Sequence, residues 1–83
     1  MGEIFRDIYS RKYFFFSNES DEPMHIHVEQ AERSAKYWME TPPRLQYNHK
    51  FRAKELRDIE RIIELNRELI TERWNENKRP KNG

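Results

Sequence analysis

Residues 53–77 read AKELRDIERIIELNRELITERWNEN, and this stretch decides the fold. It contains no Gly or Pro, and Glu, Arg, Leu and Lys, all good helix formers, dominate it. At ~100° per residue, Leu56, Ile59, Ile63, Ile70 and Trp74 fall on one stripe, the face expected to lie on the rest of the protein. Ile62, Leu65 and Leu69 form a second apolar stripe beside it. Glu60, Glu64, Glu68 and Glu72 recur every fourth residue and mark a solvent face, where Arg57, Arg61 and Arg67 relieve the like-charge repulsion. The helix start is poorly capped. Arg52 stands where Ser or Asp would satisfy the first amides, although Glu55 can close back onto it.

Upstream, the period changes to two. Met24, Ile26 and Val28 alternate with His25, His27 and Glu29, so the two sets point to opposite faces of a strand. Glu3 to Tyr9 opens the β region, and Ser10, Arg11 and Lys12 break it. Tyr13-Phe14-Phe15-Phe16 then reads as a strand buried on both faces. Turn residues follow from Asn18 to Pro23. In Ser34 to Met39, Ala35, Tyr37 and Met39 share a face opposite Trp38. Thr41-Pro42-Pro43 ends the run, with Leu45-Gln46-Tyr47 as a short edge segment. The expectation is an α+β fold: an antiparallel meander of three to four strands with one long C-terminal helix on one face. Residues 1–77 form a single domain, and 78–83 a polar basic tail expected to be disordered.

The bounds agree. For 83 residues and 10.4 kDa, area scaling gives ~5,400 Å² of folded surface and about 64% burial, enough for one thin core. The chain lacks cysteine, which excludes disulfide scaffolds, thiol catalysis and sulfur-ligated metal sites. Net charge is +1, not the footprint of bulk nucleic-acid binding. No stretch approaches the ~20 apolar residues of a membrane span, and the start MGEIFRDIYS lacks the apolar core of a signal peptide. A cytoplasmic protein without membrane contact is expected. Gly occurs only at positions 2 and 83, so no phosphate-cradling loop exists.

A helix of ~25 residues is ~38 Å long, whereas a compact domain of this size is roughly 30 Å across. One small sheet should therefore leave the C-terminal end of the helix uncovered. Ile62, Leu65, Leu69 and Trp74 are the candidate interaction surface, for a small protein partner or a second copy.

Three constellations bear on chemistry. His25 and His27 project from one strand face. With Asp21 or Glu22 they make a candidate His-carboxylate set for zinc or another divalent metal, as a metal-dependent hydrolase or nuclease would need. Metal-free hydrolysis would pair a histidine base with Ser17, Ser20, Ser34 or Thr41, none of which sits in a nucleophile motif. Arg11, Lys12, Lys36 and Trp38 make a candidate RNA-facing surface, cations beside aromatics on a sheet.

The order of motifs resembles a small bacterial family, the domain of unknown function 4160. The resemblance rests on Phe14-Phe15-Phe16-Ser17-Asn18, Asp21-Glu22-Pro23, His25-Ile26-His27-Val28, Ala35-Lys36-Tyr37-Trp38 and Phe51-Arg52-Ala53-Lys54-Glu55-Leu56, and it extends through Asn66-Arg67-Glu68 to Trp74-Asn75. The chain departs from it at Lys50 and Arg52, where the family tends to have Gly and Ser. The family is uncharacterised. Its members are often encoded beside another small domain, which implies a partner in a toxin–antitoxin-like pair. Together these readings lead to a non-catalytic protein-interaction module.

Overall fold

The computed structural model describes residues 2–16 and 21–78. Five strands, β1 (Gly2–Arg6), β2 (Lys12–Phe15), β3 (His25–Gln30), β4 (Arg33–Trp38) and β5 (Arg44–His49), precede two helices, α1 (Ala53–Leu65) and α2 (Arg67–Lys78). The strands form one antiparallel sheet in the order β1-β2-β3-β4-β5, a meander. The class is α+β, with five strands and two helices where three to four strands and one helix were expected. The extra strand is β5, whose six residues are all exposed. It is held by its ladder to β4 rather than by burial, so hydrophobic patterning understates it.

The helix divides at Asn66. Its side chain donates from Nδ2 to the Ile62 carbonyl at 2.8 Å, while its backbone amide is shared between the Ile62 and Ile63 carbonyls at 3.1 Å each. An Asn side chain that competes for the helical ladder interrupts it locally. Just past the break, Arg67 donates to the Glu40 carbonyl at 2.7 Å and the Met39 carbonyl at 3.4 Å, tying the start of α2 to the end of β4.

The apolar stripe continues across the break. Ile59, Ile63 and Ile70 are fully buried, and Trp74 is 3% exposed. They pack on Tyr13, Phe15, Ile26, Val28, Ala35, Tyr37 and Met39, the side chains that alternate onto one face of β2, β3 and β4. Each such large apolar group contributes about 1.5–3 kcal/mol on burial. The expected uncovered C-terminal end is therefore corrected: Ile70 and Trp74 belong to the core. The length comparison assumed a sphere, whereas the molecule measures 43 × 26 × 21 Å. Its long axis exceeds the helix length, so the sheet side can follow both helices.

Glu60 also departs from its solvent assignment. It is half-buried, and its carboxylate accepts the Tyr37 hydroxyl at 2.9 Å. At the helix start, Glu55 does close back, accepting the Arg52 amide at 2.9 Å. The β5–α1 connection is locked by Asn48, which donates to the Phe51 carbonyl at 2.9 Å and accepts the Phe51 amide at 3.1 Å. This closure holds Lys50 at φ 76°. Among the described residues no helix is long and apolar enough to cross a membrane. α2 ends at Lys78, and the rest of the tail, with Ser17 and Ser20, lies outside the described residues.

Candidate functional site

Side chains opposite the helices occupy the second face of the sheet. The register aligns Phe14, His27, Lys36 and Tyr47 in one row across it, with His25, Trp38 and Arg44 beside them. Although no helix among the described residues covers this face, Phe14, His27 and Lys36 are buried. The His27 ring stacks on Phe14 at 5.4 Å, and Phe16 meets both rings edge-on. Lys36 donates to Glu22 at 2.9 Å and lies over the Trp38 ring at 4.7 Å.

The two histidines come together as the spacing predicted, but as an edge-to-face pair of rings 5.2 Å apart. His25 is fully buried, and its Nδ1 lies 2.9 Å from the Pro23 carbonyl oxygen. A carbonyl can only accept, so Nδ1 donates in this contact and is not turned to a metal. Glu22 Oε1 stands 3.8 Å from Nδ1, on the protonated side of the ring, and already accepts from Lys36. Asp21 is exposed. Among the described residues no group of three or more His, Cys, Asp or Glu is arranged to hold a metal ion.

His25 also receives Trp74. The β2–β3 ladder pairs Phe14 with His27 and goes no further. Beyond that pair, the Trp74 ring packs edge-on to Phe15 at 5.2 Å and to His25 at 5.0 Å. Trp38 meets His25 from its other neighbours at 5.7 Å. The histidine thus joins the core through Trp74.

The candidate RNA-facing cations are each engaged. Arg11 is 3% exposed and pairs with Asp7 at 3.0 Å. Lys12 lies 3.9 Å from Glu29 and 5.0 Å from the centre of the Phe14 ring. Lys36 has Glu22, and Arg44 on the same face has Glu40 at 2.8 Å. The assignment of Arg11 to a surface is corrected: a guanidinium that reads as part of a polar break is folded under the turn.

That turn holds what sequence reasoning missed. The Asp7 carboxylate accepts the Tyr9 amide at 2.8 Å, the Arg11 amide at 3.1 Å and the Tyr13 hydroxyl at 2.8 Å, besides the Arg11 guanidinium. Burial alone would raise its pKa. The Tyr13 hydroxyl, the two amides and the Arg11 charge outweigh burial and hold it below the ordinary value. Burial, then the Asp7 hydrogen bond, pushes the Tyr13 hydroxyl well above its usual range. The available signal was Asp7, a residue whose side chain bonds the backbone two residues on. It ends β1 at Arg6 and turns Ile8 and Tyr9 outward, 89% and 52% exposed.

The outturned residues face α1 across a groove of ≈ 560 Å³, lined by Phe5, Ile8 and Tyr9 on one side and Asp58, Ile62 and Asn66 on the other. Of the helix residues singled out for an interaction surface, Ile62 is half-buried in this groove and Leu65 is 77% exposed one residue before the helix break. Leu69 is half-buried, and Trp74 is lost to the core. The apolar surface therefore sits at the middle of the helical segment.

Fold and site together define a small α+β protein: a sheet lined with helices on one face and with packed histidines and aromatics on the other. The family model for the domain of unknown function DUF4160 matches residues 12–75, and the chain belongs to that family. Comparison with curated proteins and with solved structures found no match.

Proposed function

We propose that this is a non-catalytic bacterial interaction module that binds a small protein partner through the groove between the Asp7–Arg11 turn and α1. The observation that carries the reading is the exposure of Ile8 and Leu65, 89% and 77%, in a chain with few large apolar residues to spare. Exposed apolar side chains beside a concave apolar groove are what a partner's anchor residue fills. Residues from two elements define the groove, so a partner would sense the assembled fold. A toxin–antitoxin-like pair in the cytoplasm is the form we propose for this association.

The test is co-expression with the neighbouring gene's small protein, followed by light scattering of the purified material. A 1:1 or higher complex is expected, and Leu65→Glu should weaken it at least tenfold, the usual effect of removing an anchor of about 2 kcal/mol. A strictly monomeric protein that ignores its neighbour would refute the reading.

The alternatives have less support. For a metal-dependent hydrolase, the closeness of His25 and His27 is favourable, but their rings pack against the aromatic rings of Trp38, Trp74, Phe14 and Phe16. If zinc or manganese binds, saturation at 100 times the dissociation constant should raise stability by about 2.7 kcal/mol. For an RNA-binding sheet, the neutralised cations remove the phosphate attraction that such binding needs.

A further inference from the structure

A five-stranded open sheet has two edges. β1 has five residues with a bulge between Glu3 and Phe5, and it carries the Arg6–Glu3 ion pair. β5 has six residues, every one exposed, with its own bulge at Gln46 and the Arg44–Glu40 ion pair, so charge rather than regularity tells the two edges apart. Among the described residues, its backbone hydrogen bonds run inward to β4, while its side chains reach Phe51 from Asn48 and Glu40 from Arg44. A row of unmatched backbone donors and acceptors is a template for another strand.

Charge selects the strand that fits. From Thr41 to Lys54 the sequence has no acidic residue, although Asp and Glu nearly balance Lys and Arg in the whole chain. On the sheet's second face every described cation has a carboxylate. Lys50, Arg52 and Lys54, at the C-terminal end of β5 and the start of α1, have none among the described residues. The α1 N-terminus adds its own partial positive charge there. Three cations without a carboxylate partner among the described residues thus lie together beside the β5 edge.

We propose that β5 is a strand-addition site for an extended acidic segment of a partner protein. The extra residue Gln46, a bulge against Lys36 and Tyr37, divides the edge. The longer run, Tyr47–His49, leads straight to Lys50. The segment pairs with that run and places its carboxylates past it, toward Lys50, Arg52 and Lys54. A second copy of this chain fits poorly, because its own edge segment, Thr41 to Lys54, has no carboxylate to offer Lys50, Arg52 and Lys54. A nucleic-acid strand could not use the edge, because it has no alternating amide and carbonyl groups to pair with it. The site is separate from the groove and does not depend on it.

The experiment titrates the isotope-labelled full chain with a short synthetic peptide that alternates valine with glutamate. Amide shifts should cluster on residues 44–50, with slowed hydrogen exchange along the β5 outer edge. Two further peptides carry N-methyl groups on alternate amides, one on the odd and one on the even positions. One pattern should abolish binding and the other leave it, because only every second amide of an added strand faces β5. The combined variant Lys50→Gly, Arg52→Ser, Lys54→Ala removes the charge with residues that suit the local backbone, and should weaken binding about tenfold. Leu65→Glu should leave it unchanged, which separates this site from the groove. Equal effects of both methylation patterns, binding unaffected by the triple change, a β5-mediated dimer without peptide, or tighter binding of a thymidine oligonucleotide would each overturn the proposal.

Discussion

The turn that joins β1 to β2 and the stretch that runs from β5 into α1 are both rich in charge, and they use it in opposite ways. In the first, Asp7 and Arg11 are withdrawn from water, with side chains 5% and 4% exposed, and their hydrogen bonds hold the chain in shape. In the second, His49, Lys50, Arg52 and Lys54 face solvent, and shape comes from backbone pairing and from Asn48. The lesson concerns cost. Ionised groups taken out of water need an opposite charge, which Asp7 gives Arg11 even though the Arg11 Nε has no hydrogen-bond partner among the described residues, so the first region tolerates little change. The second region is free to vary, and there sequence can be spent on recognition.

The sharpest way to break this contrast is Asp7→Asn. The amide cannot balance the Arg11 charge, and it offers one acceptor oxygen where the carboxylate uses two. Leaving a buried guanidinium unmatched costs about 3–5 kcal/mol, a large share of the roughly 5–15 kcal/mol of a typical domain. Urea denaturation of Asp7→Asn and of Arg44→Ala checks it. The first should lose stability heavily and the second hardly at all. Comparable losses would show that burial does not separate the two regions.

Titration sharpens the same comparison. The folded pKa of Asp7 lies below its unfolded value of 3.8, so its contribution is present above pH 3.8 and is lost as pH falls through the folded value. Tyr13 and Tyr37 are shifted the other way, Tyr37 by burial and then by its bond to Glu60. Their contribution is complete below the unfolded value of 10.0 and disappears as pH rises toward their folded values. Thermal melts across pH should show a plateau with both flanks falling, and the phenolates of Tyr13 and Tyr37 should appear together with unfolding above pH 10.0 rather than before it. Free ionisation of all four tyrosines in the native protein would contradict the buried network.

Much of the fold was written in two periodicities. The alternation of Met24-His25-Ile26-His27-Val28-Glu29 and the helical stripe Leu56, Ile59, Ile63, Ile70, Trp74 assign the right residues to the right faces. What escaped depends on contacts between distant segments or on polar side chains that bond locally. Asn66 looks like any tolerated helical residue until its amide takes the Ile62 carbonyl. Trp74 looks surplus until the β2–β3 ladder is seen to stop short and admit it beside Phe15 and His25. Arg11 reads as a surface cation because sequence does not reveal that Asp7, four residues earlier, meets it under the turn. The histidine pair was legible as a pair. Its surroundings, which are aromatic rather than acidic, were not.

The smallest effect tests the second region directly and runs in the stabilising direction. Lys50 has φ 76°, and Arg52 is an extended N-cap at φ −83° and ψ 161°. A side chain in the left-handed region costs roughly 1–2 kcal/mol that Gly avoids, offset in part by glycine's freedom when unfolded. Lys50→Gly should therefore raise stability by about 0.5–1 kcal/mol, read as a higher melting temperature. A rise confirms that charge at position 50 is carried against the local backbone preference, as expected for a residue kept for contact with something else. A fall would mean that Lys50 holds the β5–α1 corner itself, and the second region would then resemble the first.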